Sequence, residues 1–222
     1  MKKIMFNDKY GLTRAVLDGR KTQTRRLACN YNNLVINSKE LRFQKLYDGT
    51  CSFFIDDVLY RTARYKIGEV VAVTQKYADL MGNDIFRCLC QVHGVSLNAI
   101  SSKKGYNSKM FVRADLMPHH IRITNIRVER MQEISDEDCL AEGIRIIQGF
   151  KYFKYGFIHK KCETLGLDYK YGFLYKKGES LGLDLFHTPR EAYAALINLI
   201  CGKDTWEKNP FVFVYEFELL KC

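Results

Sequence analysis

The amino-acid sequence predicts a single α+β domain in which short strands form a small β-barrel with short helices beside it. The apolar segments are short and are separated by turn signals, which is typical of small β structures. The longest of them, at residues 121–131, changes its apolar parity partway along, as a β-bulge does. Two polar segments, at about 30–66 and 145–187, are interpreted as insertions into one domain of residues 1–222.

Length, charge and hydropathy define the broad class of the chain. Its 222 residues and 47% hydrophobic content suffice for one well-cored domain. The formal net charge of +10 favours an anionic partner, most simply a nucleic acid. No apolar run approaches the roughly 18 residues that a membrane span needs. Without such a run we expect no membrane partner. The basic start of the chain lacks the apolar core of a signal peptide and is not expected to be one.

The eight cysteines are scattered along the chain and form no Cys-x-x-Cys pair. Because disulfide frameworks belong to small secreted chains, we expect reduced thiols and a cytoplasmic protein. Cys88 and Cys90 lie in a predicted strand at residues 85–92, where they would share one face. His93 is a weak third metal ligand, and the residues near these cysteines lack the spacing of a tetrahedral metal site. The sequence therefore predicts neither a metal centre nor a cofactor.

Strands are predicted where apolar residues run together or alternate. They are the segments 2–6, 41–47, 51–60, 68–73, 85–92, 121–131 and 211–220. The second and third of these form a hairpin around Asp48-Gly49, a dipeptide typical of tight turns. Four strands should join one sheet system, namely 2–6, 69–74, 121–131 and 211–220. Residues 99–109 are polar and are predicted to be a surface loop.

Three helices are predicted from their capping residues. The first covers residues 10–18 and is followed by a glycine at the position of a left-handed C-cap. The second begins after Ser135, whose side chain can cap it, and ends at Gly143. The third begins at Thr188-Pro189, a cap followed by proline at the first position, and runs to Cys201.

Residues 154–169 and 170–185 form a tandem repeat inside the second insertion. Each copy begins with Lys-Tyr-Gly-Phe and contains Leu-Gly-Leu-Asp near its end. Two copies are too few for a solenoid, so the repeat is interpreted as a duplication within a loop. Its tyrosines and lysines also suit the stacking and charge neutralisation of a nucleic-acid strand.

The densest group of cationic side chains lies at residues 19–26, Gly-Arg-Lys-Thr-Gln-Thr-Arg-Arg. Arginine grips phosphate or carboxylate with a planar fork, and lysine acts as a point charge. The segment predicts an anion-binding site in which Arg20, Thr22, Arg25 and Arg26 contact a nucleic acid or substrate. The alternative is a solvent-exposed basic turn.

These motifs together resemble the ASCH family, in the form carried by phage and prophage genomes, whose fold is a PUA-like β-barrel. The matching segments are residues 17–26, 68–77, 121–143 and 206–217, about half of the chain. The resemblance implies a basic cleft that binds RNA or a modified nucleoside. One bacterial branch of the family hydrolyses N4-acetylcytidine with a Lys and a Thr of a Gly-Arg-Lys-Thr-x-Thr motif and a Glu on a later helix. The matching residues here are Lys21, Thr24 and Glu142, which the resemblance implies to be catalytic.

The catalytic interpretation carries a structural requirement. In a regular strand Lys21 and Thr24 point to opposite faces, so they can meet only if residues 21–23 turn or bulge. Lys21 acts as a base only if its pKa is lowered, which the neighbouring arginines and burial favour. Glu142 lies one turn after Asp138, and its alternative interpretation is an exposed helix residue.

The sequence and the resemblance together leave three functions open. The first is a non-catalytic module that binds RNA or nucleosides. The second is an amidohydrolase that acts on acylated pyrimidine nucleosides. The third is a ribonuclease in the same cleft, which lacks a clear acid–base pair because His119 and His120 are adjacent and point apart in a strand.

Overall fold

The structure, a computed structural model, describes residues 1–28, 41–55, 57–147, 154–158 and 183–220. The described chain is α+β, with three β-sheets and short helices. Most of the tandem repeat at 154–185 lies outside the described residues, so its interpretation as a loop stays a prediction. No described helix is both long and apolar enough to cross a membrane.

The elements are numbered in chain order. The strands are β1 (Lys3–Ile4), β2 (Gln23–Leu27), β3 (Leu41–Lys45), β4 (Cys51–Ile55), β5 (Val58–Thr62), β6 (Val70–Val73), β7 (His120–Arg130), β8 (Arg145–Ile147), β9 (Lys154–Ile158), β10 (Leu183–Phe186) and β11 (Phe211–Leu220). The helices are α1 (Leu12–Leu17), α2 (Tyr77–Leu80), α3 (Asp84–Val92), α4 (Asp136–Ala141) and α5 (Pro189–Cys201).

The central sheet has five strands in the order β1-β6-β7-β11-β2. β1 pairs with β6 in parallel, and the other neighbours are antiparallel. The four strands predicted to share a sheet therefore do so, together with β2. Among the described strands no ladder closes β1 onto β2. The α+β class is confirmed, whereas the predicted closed barrel is not observed in this part of the chain.

The predicted bulge lies in β7, opposite the last strand. Glu216 of β11 pairs with Asn125, and the next residue, Phe217, pairs with Ile123. Thr124 is therefore the extra residue on the bulged strand. The bulge shifts the side-chain parity by one, so apolar residues before and after it reach the same core.

The helix ends follow the predicted caps. Ser135 Oγ accepts a hydrogen bond from the Asp138 backbone N–H at 3.1 Å, which starts α4. Thr188 Oγ1 does the same for the Glu191 N–H at 3.1 Å, which starts α5. The first helix is shorter than predicted, because a 3-10 turn at Asp8–Tyr10 precedes α1.

The first insertion contributes to the main core. Its predicted hairpin is present as β3 and β4, and β5 adds a third antiparallel strand. Cys51, Phe53, Ala63 and Tyr65 are buried in the same core as the central sheet. The ring of Phe53 lies 5.2 Å from that of Phe211 in β11, measured between centroids.

The strand predicted at residues 85–92 is wrong, because the segment is helix α3. Asn83 caps it, with its side-chain oxygen accepting from the Phe86 N–H at 2.9 Å. Phe86 and Cys90, one helical turn apart, are fully buried, whereas Cys88 is exposed. The two cysteines therefore do not share a face, since a helix turns by about 100° per residue.

The predicted surface loop at residues 99–109 is also wrong in part. It is a run of 3-10 turns, and Ile100 and Lys109 within it are buried. Ile100 belongs to a second, smaller core, which Tyr77, Phe86 and Leu116 help to build. This core packs beside β6 and gives α2 and α3 their buried faces.

Candidate functional site

The basic segment leaves α1 through a turn before it enters β2. A glycine in the left-handed conformation, with φ 73°, follows the helix. The Lys21 N–H bonds back to Ala15 O, and the Thr22 N–H bonds to Ala141 O at the end of α4, both at 2.9 Å. The strand begins only at the following residue. Residues 21 and 22 therefore form a turn and not a regular strand, which is the condition under which Lys21 and Thr24 can point to the same side.

Lys21, Thr24 and Glu142 line one cavity of about 510 Å³, which we call the lysine cavity. The three residues are 2%, 4% and 5% exposed, respectively. Arg25 and Arg26 also line it, and α5 supplies much of its apolar wall. The structure therefore brings together the three residues that the resemblance implies to be catalytic.

Lys21 and Glu142 form a buried ion pair. Lys21 Nζ donates to Glu142 Oε2 at 2.5 Å and to the Glu142 backbone carbonyl at 2.7 Å. Burial lowers the pKa of Lys21; the Glu142 carboxylate opposes this shift, and Arg26 and Arg25 add to it. Glu142 caps the C-terminus of α4 and turns inward, so its alternative interpretation as an exposed helix residue does not apply.

The hydroxyl group of Thr24 has no hydrogen-bond partner among the described residues, although the residue is buried. A buried polar group without a partner costs about 1–3 kcal/mol unless a ligand or water satisfies it. The backbone of Thr24 is held opposite Tyr215 in the central sheet. Thr22, two residues earlier, is exposed and does not line the cavity.

Arg25 lines the lysine cavity, and three carboxylates hold its guanidinium group. Nε donates to Glu129 at 2.9 Å, Nη2 to Asp138 at 2.8 Å and Nη1 to Glu142 at 3.2 Å. Although burial opposes it, the carboxylates of Glu142 and Glu129 raise the pKa of Arg25. Arg127 extends the network through Asp138 and Glu216. Because these contacts hold Arg25 against protein carboxylates, its role in binding a substrate stays a prediction.

The two remaining arginines of the motif differ in position. Arg20 pairs with Asp18 at 3.1 Å and does not line the lysine cavity. Arg26 is exposed, and its Nη2 donates to the Met5 carbonyl at 2.7 Å. Arg26 lines both the lysine cavity and a second cavity beside it.

The second cavity, of about 500 Å³, shares part of its wall with the first, and we call it the basic cavity. Five cationic side chains line it, namely Lys3, Arg26, Arg61, Arg64 and Lys109. Among the described residues that line it there is no aspartate or glutamate. Sequence reasoning missed four of these five residues, because they are far apart in the chain and share no motif.

The described residues of the two cavities do not favour metal binding or catalysis by histidine. In the part of the chain that the structure describes, no three His, Cys, Asp or Glu side chains are grouped to hold a metal ion. His119 bonds through Nδ1 to Gln75 Oε1 at 2.7 Å. Neither His119 nor His120 lines the lysine cavity or the basic cavity.

Comparison with known proteins finds no matching family model, no matching curated protein and no matching solved structure. The features that bear on function are therefore the motif and the geometry of the two cavities.

Proposed function

We propose that the protein binds a pyrimidine nucleoside in the lysine cavity and hydrolyses an acyl group from its N4 amine. The fold would then be of the PUA-like kind that the ASCH resemblance implies. One observation carries this proposal: a buried lysine, a buried glutamate and a buried threonine hydroxyl without a described partner line the same cavity. Its volume of about 510 Å³ lies within the range typical of small-molecule sites.

The chemistry assigns one role to each of the three side chains. Thr24 Oγ attacks the acyl carbonyl carbon while Lys21, in the fraction of molecules in which its amine is neutral, accepts the hydroxyl proton. The carbon–nitrogen bond then breaks, and the protonated lysine returns that proton to the leaving N4 amine. Water cleaves the resulting ester, which releases the carboxylic acid and restores Thr24. The lowered pKa of Lys21 supports its role as the base.

Two neighbouring groups support this scheme. Glu142 accepts hydrogen bonds from Lys21 and Arg25, so it fixes the direction of the lysine side chain. Arg26 lines the cavity and can place positive charge beside the oxyanion that forms on the acyl oxygen.

A non-catalytic nucleoside-binding module is the second candidate, and one observation favours it. Lys21 already donates to both the carboxylate and the backbone carbonyl of Glu142. These contacts join the turn after α1 to the end of α4, which is a structural role for the lysine. In that case the cavity binds a nucleoside and the ion pair only shapes it.

The test is to incubate the protein with N4-acetylcytidine and to measure cytidine release by chromatography. Thr24→Val is expected to lower the rate by at least about 100-fold, whereas Thr24→Ser keeps the hydroxyl and part of the rate. Thr22→Val is the matched control, because Thr22 has the same chemistry but is exposed. Undiminished turnover by Thr24→Val would rule out Thr24 as the nucleophile. Binding of N4-acetylcytidine without turnover would favour the non-catalytic module.

A further inference from the structure

Most of the positive charges that line the basic cavity have no carboxylate partner among the described residues. Lys3 Nζ donates to the backbone carbonyls of Met110 and Val112, at 2.7 and 2.8 Å. Arg26 likewise donates to a backbone carbonyl. Of the five cationic residues, Lys109 forms an ion pair, with Asp8 at 2.6 Å. Within the described chain the other four, Lys3, Arg26, Arg61 and Arg64, pair with no carboxylate.

The adjoining lysine cavity differs in that its buried cations have carboxylate partners. There Lys21 and Arg25 are buried, and each pairs with at least one carboxylate. These two buried cations of the lysine cavity are therefore balanced, whereas four of the five cations of the basic cavity have no carboxylate partner in the described chain. Like charges gathered in a partly enclosed space repel one another, and a bound anion relieves that repulsion.

The backbone that carries two of the cationic residues of the basic cavity is also held in position. The phenol group of Tyr65 donates to the Lys3 backbone carbonyl at 3.0 Å. The phenol oxygen of Tyr215 accepts from the Arg64 backbone N–H at 2.9 Å. The Arg64 guanidinium carbon lies 5.6 Å from the centre of the Tyr65 ring. These contacts fix the chain around the cavity before any ligand enters.

The two cavities share Met5, Arg26, Leu27 and Lys109. A group bound in the basic cavity therefore lies beside a group bound in the lysine cavity. Arginine forks suit the tetrahedral oxygens of phosphate, and phosphate is the anion that a nucleoside ordinarily carries.

We propose that the basic cavity is a phosphate subsite, so that the ligand of this protein is a nucleoside phosphate ester rather than a free nucleoside. This inference rests on the proposed function for the placement of the nucleoside in the lysine cavity. It adds the chemical class of the ligand, and it assigns the subsite to Lys3, Arg26, Arg61, Arg64 and Lys109. The phosphate is either that of a free nucleotide or that of an oligonucleotide strand.

The experiment measures binding and does not depend on turnover. Calorimetric titrations of the intact protein compare cytidine with cytidine 5′-monophosphate and with a short single-stranded RNA that contains one cytidine. We expect the monophosphate or the RNA to bind at least about tenfold more tightly than cytidine, since charge-assisted hydrogen bonds from arginine and lysine to phosphate are the strong ones. Tighter binding of the RNA than of the monophosphate would assign the phosphate to a strand. The reverse order would assign it to a free nucleotide.

Variants at the subsite test which residues are responsible. Arg61→Gln and Arg64→Gln together should lower the affinity ratio of monophosphate to cytidine by about tenfold or more. Both side chains are exposed, so the variant is expected to fold, and thermal unfolding verifies this. Arg42→Gln is the matched control, because Arg42 is an exposed arginine in strand β3 of the same three-stranded sheet and pairs with Asp57. It should leave the ratio unchanged.

The outcome separates this inference from the proposed hydrolysis. Inorganic phosphate should compete with the monophosphate and have little effect on cytidine. If cytidine and its phosphate esters bind equally, or if none of them binds, the phosphate subsite is refuted even when N4-acetylcytidine is hydrolysed. If the esters bind selectively while N4-acetylcytidine is not turned over, the subsite stands and the hydrolase proposal fails.

Discussion

Replacing Glu142 with glutamine removes the carboxylate that pairs with Lys21 and keeps the size of the side chain. That carboxylate lies 2.5 Å from Lys21 Nζ and 3.2 Å from Arg25 Nη1, and the lysine side chain is 1% exposed. Removing one partner of a buried ion pair leaves the other charge unpaired, which costs about 3–5 kcal/mol. We therefore expect Glu142→Gln to lower the free energy of unfolding by that amount at pH 7.

The titration of Lys21 itself limits this loss. An unpaired buried lysine can lose its proton instead of staying charged. The ordinary lysine pKa of 10.5 lies about 3.5 units above pH 7, and one unit corresponds to about 1.36 kcal/mol, so deprotonation at pH 7 costs about 5 kcal/mol. Without Glu142, which opposes the lowering, the pKa of Lys21 falls further. Below pH 10.5 the unfolded variant then binds more protons at this group than the folded variant. Its stability relative to the parent consequently rises with pH.

Urea unfolding of parent and variant at pH 7 and pH 9.5 measures both effects. Glu218→Gln is the matched control, because Glu218 pairs with Arg122 at 2.9 Å with its side chain 53% exposed, and such pairs contribute about 1 kcal/mol or less. Adding Lys21→Met to Glu142→Gln should recover much of the loss, since the unpaired lysine is then gone. A Glu142→Gln deficit no larger than that of the control, or one that grows with pH, would refute the reasoning.

Two further predictions concern the last strand and the repeat. Burial raises the pKa of Tyr215 to about 12, so the unfolded chain loses its phenol proton first. The stability of the parent relative to Tyr215→Phe should therefore fall between about pH 10 and 12, and a difference that stays constant in urea unfolding would contradict this. Deleting residues 170–185, one copy of the repeat, should leave one cooperative thermal transition; loss of the folded state would place the repeat in the core.

The sequence predicted the fold best where periodicity and caps agreed. The bulge at Thr124 was visible because apolar positions change parity within one long strand. The segment at 85–92 was predicted wrongly because a short apolar run of eight residues fits both a strand and a helix. Asn83 before it was the discriminating signal, since its side chain caps the helix. Closure of a sheet into a barrel depends on long-range pairing, which local patterns do not encode.

For the candidate site, too, the sequence predicted the residues that lie in a short motif and missed those that only the fold brings together. Lys21 and Thr24 were found because they lie in one short motif, and Glu142 was found through the resemblance. The burial of Arg25 depends on strand register, because β11 lies between β2 and β7 and brings Glu129 within reach of it. No local pattern distinguishes Arg25 from the exposed Arg26. The basic cavity was missed for the same reason, as its residues converge only in the folded chain.

The segment interpreted as the first insertion packs on the central sheet and contributes to the wall of the basic cavity. Its buried Phe53 packs on Phe211, and Tyr65 packs edge-on against Tyr215 with ring centroids 5.3 Å apart. These contacts anchor the segment on the central sheet, and it supplies two of the cations of the basic cavity.

The ASCH-like motif lies outside this segment, so the side chains proposed for chemistry and those proposed for phosphate binding have separate origins in the sequence. A relative that shares the motif but lacks residues 41–65 would retain the lysine cavity without Arg61 and Arg64. On our proposal such a relative would favour free nucleosides. On the same proposal, the choice between a free nucleoside and its phosphate ester would depend on a segment that the motif does not cover.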